Sequence, residues 1–285
     1  MVRFLLVFLL TLIGTAQAQI VDSPRGLAMS GVRADPVGSS AIMYNPAGLS
    51  RSYMYAVEAQ YFRGGPGNRN GLGVNIVDSK AQPLLPVGLS YGFQFTDGEP
   101  EVSEKGHDVR LAFAHPAIPD RFNVGVSLRY LAIERDKTGE EYPDLQGFTL
   151  NIGALISLSS LAHIGLVGEN LIEIDNPDLP RRAGAAIAYT GGPLVFDLDV
   201  LMDFDSHKDG AKAVIATGLE LLLSGAVPLR AGYIKDLARD TAWLSGGLGF
   251  MTGQDTTGGQ LSLTYRHNLE ETDVFNFGVA ISLFL

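Results

Sequence analysis

The chain has 285 residues, of which 46% are hydrophobic and 18% charged, and its formal net charge is -10. It contains no cysteine, which excludes a disulfide scaffold, a cysteine-ligated metal site and a lipid-modified N-terminal cysteine. The excess of acidic residues disfavours a nucleic-acid-binding protein, which needs a basic surface. Beyond the N-terminus, no apolar run reaches the roughly 18 residues that a transmembrane helix requires.

Residues 1–18 have the pattern of a secretory signal peptide. Arg3 provides the positive start, Phe4 to Ile13 the apolar core, and Ala16-Gln17-Ala18 the small residues of a cleavage site. The apolar core is too short to span a bilayer, which disfavours an anchoring helix. We therefore predict a protein of the bacterial outer membrane whose mature chain begins at Gln19.

Residues 19–50 differ from the rest of the chain because turn-forming residues interrupt each short apolar piece. The turns fall at residues 22–26, 35–40 and 45–48. Little alternation of period two is visible here. The segment is therefore predicted to be compact and without strands, with one helical turn near residues 39–43.

Two pieces of this segment carry a family resemblance. They are Arg25 to Gly31, followed by Asp35, and Ser40 to Leu49, which contains Asn45-Pro46-Ala47-Gly48. The spaced pattern resembles the N-terminal signature of the FadL superfamily of outer-membrane barrels. That superfamily includes fatty-acid and aromatic-hydrocarbon channels and the PorV/PorQ-type barrels linked to type IX secretion. The resemblance implies that residues 19–50 form a hatch inside a barrel, with Asn45, Pro46, Ala47 and Gly48 positioning it rather than taking part in chemistry.

The remaining chain, residues 51–285, alternates between large apolar residues and small or polar ones. Successive side chains of a strand point to opposite faces, so each such segment predicts a strand with one oily face. The clearest segments are 53–62, 86–96, 121–132, 147–158, 193–203, 260–267 and 274–285, and less regular ones are 70–78, 107–115, 161–171, 181–190, 211–222, 226–235 and 241–251. Together they predict an all-β fold, a fourteen-stranded antiparallel transmembrane β-barrel with both termini on the periplasmic side.

The last of these segments, 274–285, indicates closure of the barrel. Phe277, Ile281 and Leu283 share one face, and Ala280 shares the other face with small or polar residues. In a soluble protein, so apolar an edge strand would invite aggregation, whereas a membrane barrel pairs its last strand with its first. An edge strand buried in a soluble β-sandwich is the alternative.

The connections between the predicted strands alternate in length. Those that would face outward are 63–69, 97–106, 135–146, 172–180, 204–210, 236–240 and 268–273. Most are long, and they carry the acidic residues Glu99, Glu101, Glu104, Glu140, Glu141, Asp144, Asp205, Asp209, Glu270 and Glu271. Most inward connections are short, as at Ser159-Ser160, Gly191-Gly192 and Ser224-Gly225. This segregation is typical of outer-membrane barrels and disfavours the soluble sandwich.

A barrel of this width has a bore that its own side chains do not fill. Residues 19–50 are the spare segment, so the width itself predicts a plug. The lumen-facing positions carry charges of both signs, at Glu58, Arg110, Arg129, Glu169, Arg182, Asp197, Asp199, Glu220, Arg230 and Arg266. They predict either an ion-pair network that holds the plug, which we favour, or a polar vestibule on a solute path.

A polar lumen suggests that a hydrophobic solute leaves sideways through the wall. Proline removes a hydrogen bond from a sheet, so Pro83 and Pro86, or His115-Pro116, could open such a gap. The more ordinary interpretation is that these prolines end strands.

An enzymatic role is disfavoured by where the reactive residues fall. Gly88 to Gly92 matches the G-x-S-x-G string, but Ser90 lies within a predicted strand that no helix follows. The five histidines are scattered and form no H-E-x-x-H site. Trp243 and the tyrosines near strand ends are predicted to form aromatic girdles at the membrane interfaces. We therefore predict no catalytic residue, no metal site and no cofactor.

The sequence thus predicts an outer-membrane channel for passive transport of small hydrophobic molecules. The alternative, from a different class, is a PorV/PorQ-type accessory barrel of a protein secretion system, which binds protein partners and conducts no solute. The outer connections are short for the external groove of a fatty-acid channel, which keeps this alternative open. The predicted partners are outer-membrane lipid and lipopolysaccharide, with a hydrophobic small-molecule ligand or secretion-system proteins in addition, and no nucleic acid.

Overall fold

The computed structural model describes residues 22–98, 102–137, 143–174, 176, 178–254 and 257–285. The predicted signal peptide, residues 1–18, and the start of the mature chain lie outside the described residues. Within the described part of the chain, no helix is long and apolar enough to cross a membrane.

Fourteen strands among the described residues close into one antiparallel barrel, in which each strand pairs with the next and the last pairs with the first. They are β1 (Tyr55–Gly65), β2 (Arg69–Asp78), β3 (Val87–Thr96), β4 (Val102–Ile118), β5 (Phe122–Lys137), β6 (Leu145–Ser157), β7 (Ala162–Glu169), β8 (Arg182–Gly191), β9 (Leu194–Asp203), β10 (Lys212–Leu223), β11 (Val227–Asp236), β12 (Thr241–Gln254), β13 (Thr257–Asn268) and β14 (Phe275–Phe284). The predicted fold class and number of strands are confirmed.

The seam between β1 and β14 closes the wall. The two strands pair without interruption from Ala56 opposite Phe284 to Gly65 opposite Phe275. Beyond this ladder, the backbone N–H of Leu285 donates to the carbonyl oxygen of Tyr55 at 2.8 Å. The prediction that the C-terminal strand pairs with the first strand is therefore confirmed. We call the end of the barrel that carries this hydrogen bond the proximal end, and the opposite end the distal end.

The two faces of the wall differ in chemistry as the alternation predicts. On β8, Ile187 points outward and is 53% exposed, whereas its neighbours Ala186 and Ala188 point into the lumen and are buried. Phe148 on β6 and Leu244 on β12 are likewise among the exposed outer residues. So large an apolar outer surface is unfavourable in water and suited to lipid.

Strands β4 and β5 extend further at the distal end than the sequence predicted. Val102 pairs with Lys137, so residues 102–106 and 135–137 belong to the wall and not to outer loops, and that part of the loop prediction is wrong. Glu104, predicted to be a solvated loop charge, is buried and lies 3.2 Å from the Nε of Arg135. Charged residues whose sequence pattern predicted a solvated loop are here ion-paired on the inner face of β4 and β5.

The wall is continuous beside Pro83 and Pro86. Both prolines precede β3, whose first residue, Val87, already pairs with Phe113 of β4. The carbonyl oxygen of Pro86 itself accepts a hydrogen bond from the backbone N–H of Ala114 at 3.0 Å. These prolines therefore end a connection, and the predicted gap at this site is wrong.

At His115-Pro116 the pairing of β4 with β5 shifts register. The ladder resumes where Ile118 faces Phe122, so the irregularity is confined to the proximal end of β4. The Nδ1 atom of His115 lies 2.9 Å from the carbonyl oxygen of Leu84, in the connection before β3. This contact thus links the connection before β3 to the bulge.

Residues 22–50, which we call the hatch segment, contain no strand. They form helix α1 (Pro24–Met29), helix α2 (Ser39–Tyr44) and a 3-10 helix (Pro46–Ser50). Helix α2 confirms the helical turn predicted near residues 39–43. Helix α1 was not predicted, although Ser23 caps it by accepting a hydrogen bond from the N–H of Gly26 at 3.0 Å and a proline begins it.

The hatch segment lies across the interior of the barrel. Helix α1 packs on β10 to β14, α2 on β2 to β4, and the 3-10 helix on β4 to β6. Since these strands stand on opposite sides of a closed wall, the segment reaches from one side of the lumen to the other.

A charge on the outer face tests whether that face meets lipid. Ile187→Arg, near the middle of β8, should lower the free energy of unfolding in lipid vesicles by about 2–4 kcal/mol. The control Leu158→Arg, in the exposed connection between β6 and β7, should cost about 0–1 kcal/mol. Urea titration of the vesicle-inserted protein measures both, and equal values for the two variants would contradict a lipid-facing surface.

Candidate functional site

The wall accommodates the hatch segment with glycines. Lumen-facing glycines on seven strands have no space for a Cβ atom because hatch atoms already occupy it. They are Gly88, Gly125, Gly153, Gly165, Gly218, Gly232 and Gly247. At Gly125, the obstructing atoms belong to the backbone of Pro46 and Ala47, which cannot rotate away. Glycine weakens a strand interior, so its use here reflects close approach of another backbone.

Asn45 connects two parts of the hatch segment to the wall. Its Oδ1 atom accepts from the N–H of Ala47 at 3.2 Å and so caps the 3-10 helix. Its Nδ2 atom donates to the carbonyl oxygen of Arg33 at 2.8 Å and to that of Ala154 on β6 at 3.2 Å. The side chain is fully buried beside Gly153, so both ends of its amide are satisfied away from water.

The residues that follow Asn45 continue the same packing. Pro46 begins the 3-10 helix, and Ala47 is fully buried. A Cβ atom at Gly48 would meet Pro36. Of the four residues that the resemblance assigned to the hatch, Asn45, Pro46 and Ala47 therefore pack against the wall, and Gly48 packs within the hatch segment.

Arg33 forms the most deeply buried charge contacts between hatch and wall. Its Nε atom donates to Glu169 at 2.7 Å and its Nη1 atom to Asp199 at 2.8 Å. Asp197, also on β9, accepts from the backbone N–H groups of residues 34–35 at 3.2 and 3.0 Å. Three of the carboxylates predicted from the sequence thus contact one turn of the hatch segment.

A second cluster joins α1 to β10. Arg25 donates to Asp35 at 2.8 Å and to Glu220 at 3.3 Å. Glu220 also accepts from Arg230 on β11 at 2.5 Å, and Arg51 donates to Asp35 at 2.7 Å. The hatch segment therefore contributes Arg33 to the first cluster and Arg25 to the second, while the wall supplies most of the anions and also Arg230.

The other lumen charges predicted from the sequence do not pair with hatch charges. Glu58 accepts from Asn75 at 3.0 Å and from Ser282 at 2.8 Å, and Arg182 donates to Asp203 at 3.1 Å.

Arg110 on β4 and Arg129 on β5 share one carboxylate, that of Asp108, at 3.0 and 2.9 Å. Arg266 on β13 lies over the ring of Trp243 at 4.9 Å. Both groups face the distal half of the lumen.

The distal cavity has a volume of about 200 Å³ and lies between the hatch segment and strands β4 to β13. Arg110, Arg129 and Arg266 line it, together with Tyr44 from α2. Burial, and then the nearby carboxylate of Asp22, raise the pKa of Tyr44 well above its usual range. The phenol therefore stays protonated and donates to Asp22 at 2.8 Å.

Trp243 also lines this cavity, so its assignment to an interfacial girdle is wrong. Its side chain is 6% exposed and shares the lumen-facing side of β12 with Ser245 and Gly247. The next residue, Leu244, points outward and is exposed. Counting the alternation from Ser245 would have placed the tryptophan inside the barrel.

The connection between β7 and β8 partly covers the distal mouth. Ile174 and Leu179 from this connection pack against Leu131 on the inner face of β5. Asp178 accepts a charged hydrogen bond from Arg135 at 2.8 Å. The distal cavity is thus bounded by an outer connection on one side and by the hatch segment on the other.

The proximal cavity is larger, about 500 Å³, and more apolar. It lies between the hatch segment and strands β1, β2 and β10 to β14. Met54, Ala56, Val77, Leu222 and Phe284 supply its apolar lining. Charged groups of the Arg25 cluster stand at its edge.

Sequence reasoning missed the partners of several predicted residues. Asp108 lies two positions before Arg110 on the same face of β4, so alternation alone could have identified it. The cations Arg25, Arg33 and Arg51 lie in a segment without periodicity, and only their contacts with distant strands reveal their roles.

The reactive residues considered from the sequence form no assembled catalytic group. Ser90 lies within β3 and is buried on the lumen face. Among the described residues, no group of three or more His, Cys, Asp or Glu side chains could hold a metal ion.

Loss of the Arg33 side chain should release the hatch segment. Arg33→Ala leaves Glu169 and Asp199 buried without their cation, which typically costs about 3–5 kcal/mol. The control Arg181→Ala removes an exposed pair with Asp205 and should leave stability nearly unchanged, because water screens an exposed ion pair. Limited proteolysis and thermal unfolding of the purified protein measure the effect. Equal protection of the hatch segment in both variants would contradict the role given to Arg33.

Comparison with known proteins shows similarity in fold without close sequence similarity. No protein-family model matches the sequence, and no curated protein matches it. The CymD monoaromatic hydrocarbon channel aligns with a TM-score of 0.66 and 13% identity over 94% of this chain and 97% of its own. The Pseudomonas putida toluene transporter TodX aligns with a TM-score of 0.66 and 10% identity over 93% and 98%.

A third structure, a Pseudomonas aeruginosa FadL homologue, aligns with a TM-score of 0.61 and 10% identity over 93% of this chain and 98% of its own. At these identities the likeness concerns the fold. The chain therefore has the fold of the FadL-type channels, as the resemblance of its N-terminal segment predicted.

Proposed function

We propose that this protein is a channel of the bacterial outer membrane for passive transport of small hydrophobic molecules. The observation that carries the proposal is the proximal cavity, a largely apolar space of about 500 Å³ between hatch segment and wall. Burying apolar ligand surface in such a space contributes roughly 25 cal/mol per Å². Transfer out of water is therefore enough to draw a hydrophobic solute into the barrel.

The proposed location follows from the outer face and from the N-terminus. A closed wall leaves no unpaired strand edge, which is the condition for a sheet to span lipid. We propose that residues 1–18 direct export and that residues 19–50 act as the hatch of the channel domain, residues 51–285. Outer-membrane lipid and lipopolysaccharide are then its surroundings.

We propose that solute passes beside the hatch segment while the segment stays in place. Both charge clusters would have to open before the whole segment could leave, and opening buried ion pairs is costly. The distal and proximal cavities lie on different sides of the segment, so a local rearrangement that connects them is sufficient. No catalytic step and no cofactor enter this mechanism.

The structural relatives are consistent with a solute of this kind. Two of them are described as a monoaromatic hydrocarbon channel and a toluene transporter. A single aromatic ring fits within the volume of the proximal cavity. The alternative, a PorV/PorQ-type accessory barrel that binds secretion-system proteins, gains no support from the comparisons.

Uptake of a fluorescent hydrophobic probe by bacterial cells tests the proposal. Cells that produce the protein should take up the probe several-fold faster than cells that lack it. Ala56→Phe fills the proximal cavity from β1 and should remove most of this gain. The control Ala185→Phe adds the same ring to the exposed outer face of β8 and should leave uptake unchanged. Equal uptake with and without the protein would contradict transport, and co-purification of a protein partner would then favour the alternative.

A further inference from the structure

Arg266 is the one lumen arginine named above whose charge meets no carboxylate at ion-pair distance within the described residues. Its side chain is buried in the wall of the distal cavity, with 4% of the residue exposed. Its Nε and Nη2 atoms have no hydrogen-bond partner among the described groups. A buried guanidinium that leaves donors unused is strongly unfavourable, so a site of this kind calls for an acceptor.

The carboxylates around Arg266 are already engaged by other groups. Arg110 and Arg129 line the same cavity, yet they share the single carboxylate of Asp108. Asp22 is the acidic residue of the hatch segment that lines the cavity, and it accepts the hydrogen bond of Tyr44. The other lining carboxylates, Glu169, Asp178 and Asp236, pair with Arg33, Arg135 and Arg239, so none of them lies at ion-pair distance from Arg266.

The ring of Trp243 orients the guanidinium. The Cζ atom of Arg266 lies 4.9 Å from the ring centroid, the distance of a cation–π contact. Because the guanidinium is planar, its Nε and Nη2 atoms form one edge, which is the geometry that binds a carboxylate through two parallel hydrogen bonds.

The remaining lining sets the size and character of the ligand. Met43, Leu179, Leu201 and Ile234 present apolar side chains to the cavity. Its volume of about 200 Å³ suits a single ring or a short chain and is too small for a long acyl chain. The site therefore combines one anion-binding edge with these apolar side chains in a mainly polar cavity.

We propose that the distal cavity binds a small organic monocarboxylate with an apolar body, of about the size of benzoate, through the Nε and Nη2 atoms of Arg266. Arg110 and Arg129 add positive charge beside the carboxylate, and Trp243 holds the guanidinium in place. This inference rests on the proposed function, because the ligand must enter the barrel, and it names the class of solute that the channel selects at its distal side.

The single tryptophan of the chain makes the test specific, because Trp243 is itself part of the site. Titration of the purified full-length protein in detergent with benzoate should change its tryptophan fluorescence in a saturable manner. Toluene, which has the ring without the carboxylate, should produce no saturable change at the same concentrations. Sodium chloride controls for the effect of any anion, and sodium acetate controls for a carboxylate without an apolar ring. Neither should reproduce the saturable change seen with benzoate at the same concentrations.

Substitutions then assign the binding to Arg266. Arg266→Gln should weaken benzoate binding by about 10- to 100-fold, the equivalent of losing one charge-assisted hydrogen-bonded contact. Calorimetry measures this constant without depending on the fluorescence of Trp243. The control Arg181→Gln removes a positive charge from the exposed distal rim and should leave binding unchanged.

Several results would overturn the proposal. They are the absence of saturable benzoate binding to the unmodified protein, an equal and saturable response of Trp243 fluorescence to toluene, or unchanged benzoate affinity in Arg266→Gln. If that variant does not fold, Arg266→Lys keeps the charge but loses the two-pronged contact and should bind about tenfold less tightly; unchanged affinity there contradicts the proposal as well. Uptake of the neutral probe is measured separately in cells, so failure of transport and failure of this site are distinguishable.

Discussion

The hydrogen-bonded seam between β1 and β14 is the contact on which the rest of the structure depends. Pairing from Ala56 to Gly65 leaves no free strand edge at this point of the wall, so the backbone can lie in lipid without unsatisfied polar groups. Closure also fixes which face of every strand points inward. With fourteen strands the enclosed space is wider than wall side chains can fill, and the chain must supply something else to occupy it.

The hatch segment fills that space through two physical devices. Glycines on the inner face, such as Gly125 and Gly165, allow its backbone to approach the strands closely. Buried carboxylates of the wall then pair with cations of the segment, chiefly Arg33 and Arg25. The glycines allow the segment to fit against the wall. The ion pairs fix its position, because a carboxylate buried without its cation is strongly unfavourable. Between the hatch segment and the wall lie a small polar cavity on one side and a larger, more apolar one on the other.

Much of the wall could be predicted from the sequence because a strand has a strict period of two. That period identified all the strands, the seam and the inward direction of residues such as Asp199 and Arg266. It failed at residues 102–106, where paired charges resembled a solvated loop, and at Trp243, where residue type was given more weight than alternation.

The hatch segment could be predicted only in outline, from a family resemblance and from the space left to fill. Its contacts join residues far apart in the chain, as in the pair Arg33 and Asp199, and a single sequence contains no signal for such pairs. The sequence likewise gives no sign that the guanidinium of Arg266 is unpaired, because its pairing depends on which side chains the fold brings next to it.

The account requires above all that the leading segment lies inside the closed wall. The chain has no cysteine, so a pair introduced as Ile42→Cys and Gly88→Cys tests this directly. A Cβ atom at Gly88 would lie 2.6 Å from Cγ1 of Ile42, which places the two thiols within disulfide distance. In protein inserted in membranes we expect near-complete oxidation of this pair, and no bond when Ile42→Cys is combined with Gly246→Cys on the outer face. Absence of the bond, together with free labelling of residue 42 by a membrane-impermeant thiol reagent, would contradict the account.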